Sequence, residues 1–272
     1  MTKKRLDILL VERNLIDTRE KAKRAIMAGL VFSGTERMDK PGVKVEEDLP
    51  LEIKGKVIPY VGRGGLKLER ALDIFPIEPE GRTMIDVGSS TGGFTDCALQ
   101  NGAKLCYAVD VGYNQLDWKL RSDERVVVME RTNFRYATPD MFTEGSPDLA
   151  TIDVSFISLR LMLPALAPIL AVNSDVIALI KPQFEAGREL VGRKGIVRDP
   201  KVHADVIEEI IAFAKELGYG VEGLTYSPIT GGDGNIEFLA HLKWPAIEDE
   251  NAEEIQIDQV VAEAHSVLKS KE

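Results

Sequence analysis

Cysteine and histidine are scarce in this sequence of 272 residues, which contains two cysteines and three histidines. Cys97 and Cys106 lack the spacing of a metal or redox motif, and His203, His241 and His265 lie far apart along the chain. We therefore predict reduced, buried cysteines, no metal site and ordinary core or surface roles for the histidines.

Long apolar runs are missing as well. The longest is LMLPALAPILAV at 161–172, which contains two prolines and is shorter than the roughly 20 residues that a membrane helix needs. The basic start of the chain does not continue as a leader, because Asp7 and Glu12 interrupt its apolar stretch. The sequence thus predicts no membrane segment and a cytoplasmic protein.

Positive charge is low overall but unevenly distributed. The formal net charge is −10, yet residues 1–70 hold 16 Lys and Arg against 11 Asp and Glu, which gives that segment +5 and leaves −15 for the rest. A basic amino-terminal module can bind phosphates while the remainder keeps the protein acidic.

The first 60 residues have a pattern of two short helices followed by short strands. LDILLVERNL has helical spacing, and DTREKAKRAIMAGLV predicts a second helix with Asp17 as N-cap and Gly29 as its stop. The second helix is basic, and TREKAKRAIMAGLVFSG resembles the S4 RNA-binding fold. Without that resemblance, a solvated helix face would explain the charges equally well.

From residue 82 onward strands alternate with helices. We predict strands near 82–88, 104–110, 125–129, 148–153 and 175–180, which is typical of an open parallel sheet. YGVEGLTYS and NIEFLAHLKW are separated only by a short turn, so these last two strands are predicted to be an antiparallel pair at one end of the sheet. The outline is that of a class I, Rossmann-like methyltransferase with a seven-stranded, mostly parallel sheet.

A glycine turn, MIDVGSSTGGFTD at 84–96, follows the first of these strands. Its G-x-x-x-G-G spacing does not match the G-x-G-x-x-G of dinucleotide folds, and 84–103 contains no lysine for a phosphate-binding loop. Acids at Asp86 and Asp110 suit the ammonium group and ribose of S-adenosylmethionine. This pattern favours S-adenosylmethionine, with NAD and a purely structural turn as the alternatives.

Four charged residues stand at or beside predicted strand ends. Lys67 precedes the first strand in VGRGGLKLERAL, Asp153 ends the strand in LATIDVSF, Lys181 ends VIALIK, and Glu237 begins the last strand in GNIEFLAHL. In an open parallel sheet these ends converge on one crevice. Singly each charge could be a surface residue or a cap; together they resemble the tetrad of ribose 2′-O-methyltransferases.

With its S4-like beginning, the chain resembles the TlyA family of rRNA 2′-O-methyltransferases, often labelled hemolysin A. The resemblance runs from about residue 4 to 244 and depends on GRGGLKLERAL, DVGSSTGGFTD, DVSFISL, KPQFE and GNIEF. It implies methyl transfer from S-adenosylmethionine to rRNA, on a cytidine ribose. It divides the chain into an S4-like domain at 1–60, a methyltransferase domain at 61–246 and an acidic, helical tail at 247–272.

The tetrad chemistry is explained by the poor acidity of a ribose hydroxyl. Methyl transfer needs a base that removes the proton or a field that stabilises the forming alkoxide. Lys181 could act as base through a lowered pKa or as a charge, with Lys67 steadying the ribose oxygen and Asp153 and Glu237 orienting the ammonium groups. The sequence leaves both roles of Lys181 open.

Binding residues follow from the same motifs. The predicted cofactor-binding residues are Asp86, Gly88, Ser89, Ser90, Gly92, Gly93, Phe94, Asp110, Thr132, Asn133 and Asp153. Those predicted to contact RNA are Lys4, Arg5, Arg19, Lys21, Lys23, Arg24, Arg63, Arg188, Arg193 and Lys194. The last three lie in KPQFEAGRELVGRKGIVRD, which is interpreted as a basic lip near the crevice, with a mobile surface loop as the alternative.

Two other functional classes compete with the enzyme. One is a ribosome-binding or assembly factor with a vestigial methyltransferase fold, which the intact tetrad and glycine turn disfavour. The other is a membrane-active cytolysin, for which no segment is suited. The sequence leaves open the target nucleotide, the ribosomal subunit and the oligomeric state.

Overall fold

The computed structural model describes residues 3–27, 29–55, 58–246 and 255–269. The chain divides into two compact units, Met1–Val61 and Gly62–Glu272. Each unit is described by itself below.

The amino-terminal unit is a small α+β domain. Its strands are β1 (Lys3–Arg5), β2 (Val31–Ser33), β3 (Glu36–Arg37), β4 (Lys44–Glu46) and β5 (Glu52–Ile53), and its helices are α1 (Leu6–Glu12) and α2 (Arg19–Met27). Strands β1 and β4 pair antiparallel, and β2 pairs antiparallel with both β3 and β5. The apolar faces of the two helices bury Leu6, Leu10 and Ile26 in a common core, so the predicted helix pair is confirmed.

The start of α2 differs from the prediction. The helix begins at Arg19, so Thr18 occupies the cap position, and its hydroxyl accepts a hydrogen bond from the Lys21 amide at 3.3 Å. Asp17 instead forms an ion pair with the Lys21 side chain at 2.9 Å. Two neighbouring residues that both favour cap positions made the boundary ambiguous in the sequence.

The second unit alternates strands and helices around one sheet. Its strands are β6 (Thr83–Val87), β7 (Leu105–Val109), β8 (Val126–Met129), β9 (Leu149–Ile152), β10 (Ser174–Ile180), β11 (Gly220–Tyr226) and β12 (Phe238–Trp244). Its α-helices are α3 (Gly65–Ile74), α4 (Gly93–Gln100), α5 (Trp118–Arg121), α6 (Leu159–Leu166), α7 (Pro182–Glu185), α8 (Pro200–Glu216) and α9 (Ile257–Lys269).

The sheet has the order β11-β12-β10-β9-β6-β7-β8. Strands β6 to β10 run parallel to one another, whereas β12 runs antiparallel to both β10 and β11. The predicted seven-stranded, Rossmann-like sheet with a terminal antiparallel pair is therefore confirmed. Because helices cover both faces, the central strands β6, β9 and β10 are buried along their whole length.

The described part of the tail packs on this unit. Helix α9 contacts α8 and β11, and Val261, Ala264 and Leu268 are buried in the main core. The acidic part of the predicted tail, 247–254, lies outside the described residues, as do 270–272. Among the helices that the structure describes, none combines the length and the apolar character needed to cross a membrane.

Candidate active site

A cavity of about 680 Å³ opens at the carboxyl ends of the parallel strands in the second unit. Ligands commonly bind at this edge of an open α/β sheet, and the volume lies in the usual range for small-molecule sites. The predicted site residues that line it are Arg63, Lys67, Asp86, Gly88, Ser89, Ser90, Gly93, Phe94, Asp153, Lys181, Lys194 and Glu237.

The four predicted catalytic side chains form one buried charge network. The Lys67 ammonium lies 3.1 Å from Asp153 Oδ2 and 2.8 Å from Glu237 Oε2. The Lys181 ammonium lies 2.5 Å from Asp153 Oδ1 and donates to Ser155 Oγ at 3.1 Å. Asp153 thus bridges the two lysines.

The fold explains this convergence. Asp153 and Lys181 directly follow the adjacent parallel strands β9 and β10, and Glu237 directly precedes β12, whose antiparallel direction puts its start at the same edge. Lys67 extends from α3 and is nearly fully buried. Four residues separated by up to 170 positions therefore join one network of ion pairs.

Burial and pairing oppose each other in this network. Desolvation lowers the pKa of Lys67, but the carboxylates of Asp153 and Glu237 outweigh it, so the net shift is upward. Desolvation raises the pKa of Asp153, and the two lysines outweigh it in turn, so the net shift is downward. Lys67 and Asp153 are therefore charged near neutral pH.

Two glycines of the turn allow close packing of the protein itself. Gly88 has φ +88°, and a Cβ atom there would lie 2.4 Å from the Asp153 carbonyl oxygen. Gly92 has φ +94°, and a Cβ atom there would lie 2.2 Å from a Leu120 methyl. The turn thus brings the carboxyl ends of β6 and β9 together and lets α5 pack on α4, which the sequence interpretation of a cofactor-facing backbone did not foresee.

Asp86 is buried and already has partners. Its carboxylate accepts hydrogen bonds from the Thr95 amide at 3.1 Å, the Thr95 hydroxyl at 2.7 Å and the Thr151 hydroxyl at 3.0 Å. Burial raises the pKa of Asp86 to about 6 despite these bonds. The residue lines the floor of the cavity and also joins β6, α4 and β9.

The remaining predicted cofactor residues lie beside the cavity and are not part of its lining. Asp110 follows β7 and accepts from the Ser90 amide at 2.8 Å and the Gly112 amide at 2.7 Å. The Thr132 amide donates to the Asp110 carbonyl at 2.9 Å, and Asn133 caps a short 3-10 helix, Phe134–Tyr136. Asp110 therefore connects the glycine turn to the segment that contains Thr132.

Several lining residues escaped the sequence interpretation. Phe156 is 90% exposed, has φ +63° and packs on Phe184 with ring centroids 4.9 Å apart. Gln183 donates to Glu237 Oε1 at 3.2 Å, and its own Oε1 is buried with no hydrogen-bond partner in the described chain. Their positions within DVSFISL and KPQFE, next to Asp153 and Lys181, were the available signal.

The basic residues of the amino-terminal unit are extensively paired. Ion pairs with acids of the same unit involve Lys4, Arg5, Arg19, Lys21 and Lys23. Asp7, buried between two of these arginines, has its pKa lowered to about 2, chiefly by the hydrogen bond from Arg5. Arg24 is in the last turn of α2. The predicted RNA contacts must therefore form on a surface whose positive charge is partly neutralised.

Part of the predicted basic lip lies close to the cavity. Lys194 lines the cavity with Arg63, and it sits in a tight turn, Arg193–Gly195, with φ +63°. Arg188 is exposed in a separate turn, Arg188–Leu190. The side chain of Arg193 lies outside the described part of the structure.

The cysteines and histidines of the chain contact other protein groups or are buried in the core. Both cysteines are buried and unbridged. His203 Nδ1 lies 2.8 Å from His265 Nε2, and His241 Nε2 lies 2.8 Å from Asp175 Oδ1. Within the described ranges, no three His, Cys, Asp or Glu side chains gather as a metal site requires.

Comparison with known proteins agrees with this geometry. Residues 60–244 match the FtsJ-like methyltransferase family, and residues 4–49 match the S4 domain. YqxC of Bacillus subtilis is 68% identical over 99% of this chain and 96% of its own length. The 16S/23S rRNA (cytidine-2′-O)-methyltransferase TlyA of Mycobacterium tuberculosis is 42% identical over 88% of this chain and 89% of its own.

A solved structure shares the fold over the whole chain. It comes from a Streptococcus thermophilus protein with a hemolysin name, is 55% identical, covers 100% of this chain and 98% of its own, and superposes with a TM-score of 0.78. The S4 domain comes first in the chain, and the methyltransferase family implies S-adenosylmethionine as the methyl donor. The chain therefore belongs to the TlyA family of FtsJ-like methyltransferases.

Proposed function

We propose that this protein methylates the 2′-hydroxyl of a cytidine ribose in ribosomal RNA. The observation that carries the proposal is the network in which Asp153 joins Lys67 and Lys181 at the rim of the cavity. The Mycobacterium tuberculosis relative is named for this reaction, with the cytidine of 16S and 23S rRNA as its target.

The cavity suits S-adenosylmethionine. It offers acceptors for an ammonium group in the buried carboxylate of Asp86 and the partnerless Oε1 of Gln183, hydroxyl groups at Ser89 and Ser90, and an apolar wall at Phe94. Asp110, one strand away, is the proposed partner of the ribose hydroxyls, through the carboxylate that also orders the Ser90 amide. When bound, S-adenosylmethionine supplies an electrophilic methyl group on a sulfonium.

The two lysines take different parts in the proposed mechanism. Lys67 is fixed between two carboxylates and stays charged, so it supplies a constant positive field that stabilises negative charge developing on the ribose oxygen. Lys181 has one carboxylate contact and one hydroxyl contact. An incoming ribose hydroxyl can replace the Ser155 contact. Lys181 then either takes the hydroxyl proton as a neutral amine or, as an ammonium, stabilises the developing alkoxide by its charge.

The acids serve as positioning groups. Asp153 fixes the separation of the two ammonium groups by binding one with each oxygen, and Glu237 holds Lys67 from the opposite side. A side chain held by several partners is already oriented before substrate binds, which reduces the reorganisation needed in the transition state.

RNA binding is proposed for two sets of basic residues. One set consists of Lys4, Arg5, Arg19, Lys21, Lys23 and Arg24 of the S4 domain, and the other of Arg63, Arg188, Arg193 and Lys194. Phosphate contacts of this kind would orient the RNA without reading its sequence. Association is therefore expected to weaken as salt rises.

The experiment is methylation of purified, unmodified ribosomal subunits with S-adenosylmethionine that carries a labelled methyl group. Nuclease digestion and mass spectrometry of the nucleosides then distinguish 2′-O-methylcytidine from base-methylated products. We expect label in 2′-O-methylcytidine. Label on a base, or no transfer to either subunit by protein that binds the cofactor, would contradict the proposal.

A further inference from the structure

Two segments form one side of the charge network, and two carboxylates join them. The first is the loop of residues 153–158, which leads from β9 to α6 and begins with Asp153. The second, residues 181–185, follows β10, begins with Lys181 and contains the short helix α7. The ion pair of 2.5 Å between Asp153 and Lys181 ties the beginnings of the segments together.

Glu185 ties their far ends together. Its Oε2 accepts from the Ser158 hydroxyl at 2.6 Å, and its Oε1 accepts from the Leu159 amide at 2.8 Å. Arg160 Nη1 lies 3.7 Å from the same carboxylate. The Glu185 side chain is only 3% exposed, and this burial raises its pKa in spite of the hydrogen bonds. The Glu185 carboxylate thus caps α6, the helix that follows segment 153–158. Such a buried cap indicates a fixed spacing between segments 153–158 and 181–185.

The loop that Glu185 anchors contains a strained residue. Phe156 adopts φ +63°, a conformation that bulky residues rarely adopt, and its ring is 90% exposed at the cavity. Such a conformation persists only where the surrounding structure fixes both sides of it. Asp153 is fixed by two lysines on one side of Phe156, and Ser158 and Leu159 are fixed by Glu185 on the other.

We propose that Glu185 is a positioning residue for methyl transfer. It holds segment 153–158 in its strained shape, and this shape sets where Asp153 places the Lys181 ammonium and where Phe156 faces the substrate. The inference rests on the proposed function for its substrate, but the contact of Glu185 with the segment can be measured without any methylation.

Glu185→Ala is the main test, made in the full chain. We expect the single-turnover methylation rate to fall about 10-fold or more, because small displacements of catalytic groups are costly, while the dissociation constant for S-adenosylmethionine changes less than about 3-fold. Hydrogen exchange measured by mass spectrometry should show faster exchange in the peptide that spans 153–160. Glu185→Gln, which keeps the size and one acceptor for the Leu159 amide, should restore part of the rate.

Glu209→Ala is the matched control. Glu209 is 64% exposed on α8 and binds Arg160 Nη2 at 2.7 Å, so its removal takes a glutamate from the same arginine without touching either segment. This variant should keep the wild-type rate and the wild-type exchange at 153–160.

The outcomes separate cleanly. Glu185→Ala and Glu209→Ala with equal rates and equal exchange at 153–160 would overturn the proposal. A lowered thermal midpoint with an unchanged rate at a temperature where the protein is folded would reduce Glu185 to a helix cap, which also overturns it. If the wild-type protein transfers no methyl group to ribose, the proposed function fails, and exchange in Glu185→Ala still decides whether Glu185 holds the segment.

Discussion

Two aspartates at opposite ends of the same sheet, Asp153 and Asp175, have similar partners and different surroundings. Asp153, at the carboxyl ends of the strands, contacts Lys67 and Lys181 and lines the cavity. Asp175, near the start of β10, contacts Arg82 at 2.6 Å and Lys243 at 3.0 Å and does not line it.

Asp175 has three side-chain partners, whereas Asp153 has two. Asp175 also accepts from His241 Nε2 at 2.8 Å, and its pKa is lowered because these three donors outweigh the desolvation that would raise it. Arg82 additionally donates to the Asp148 backbone carbonyl. A buried aspartate between two cations is therefore no functional signal by itself; its place at the carboxyl edge, beside a cavity, makes Asp153 a candidate.

The largest expected effect is on catalysis at the Asp153 end. Lys181→Ala should lower the single-turnover methylation rate about 10²-fold or more, the scale of a lost acid–base or electrostatic group, with little change in cofactor affinity. Lys181→Arg should not restore it, because a guanidinium neither deprotonates nor places its charge at the same point. Lys243→Ala, at the Asp175 end of the sheet, should keep the wild-type methylation rate. Near-normal activity in Lys181→Ala would contradict a catalytic role for the Asp153 end.

The next effect is on stability at the Asp175 end. Asp175→Ala leaves Arg82 and Lys243 without their shared carboxylate, so we expect a loss of about 3 kcal/mol in the free energy of unfolding at pH 7. Urea denaturation measures it. At a temperature where the variant is folded its methylation rate should match the wild type within about 3-fold, and a much slower rate would mean that the two ends are coupled.

Substitutions should change the affinity for S-adenosylmethionine only at the carboxyl ends of the parallel strands. Asp110→Ala should weaken S-adenosylmethionine binding by about 1 to 3 kcal/mol, because it removes an acceptor and frees the Ser90 amide. Asp148→Ala is the control, since Asp148 accepts from the Thr83 amide at 2.9 Å at the opposite end of the sheet. Calorimetry on both folded variants decides, and unchanged affinity in Asp110→Ala would exclude that residue from the site.

The smallest effect is a component of the acid transition. The pKa of Asp175 is lower in the folded protein than in the unfolded chain, so its stabilisation is complete above the unfolded pKa of about 3.9 and is lost as pH falls towards the folded pKa. Wild-type protein should therefore lose stability below about pH 4 more steeply than Asp175→Asn. Urea midpoints between neutral and acidic pH measure the slopes, and parallel slopes would contradict the assignment.

The order of elements could be read from the sequence because periodicity and strand-end motifs are local properties. The five parallel strands and the final antiparallel pair fall within about one residue of their predicted ends, except that β12 begins at Phe238, three residues after the predicted start at Asn235. The strands β1, β3 and β4 were not predicted, since segments of two or three residues have no readable alternation. The roles of the predicted site residues stay predictions.

The contacts that individual residues make were much harder to predict from the sequence. No local pattern shows that Gly88 admits the Asp153 backbone, that Asp7 holds Arg19, or that Glu185 caps α6. Each of these contacts joins separate segments, and any acid can pair with many bases until the chain is folded. The composition of the S4 domain therefore did not show which of its basic side chains pair with acids of the same domain.

By itself, the sequence determined the family, the order of strands and helices, and the four charged residues expected at one crevice. Only the tertiary structure decided that Asp153 lies between both lysines, that Phe156 is strained at the cavity, and that Asp175 pairs with two further cations away from that cavity. The reason is physical. Strand and helix patterns depend on neighbours within a few residues, whereas the energy of a charge depends on distances and solvent exposure that arise only when remote segments pack.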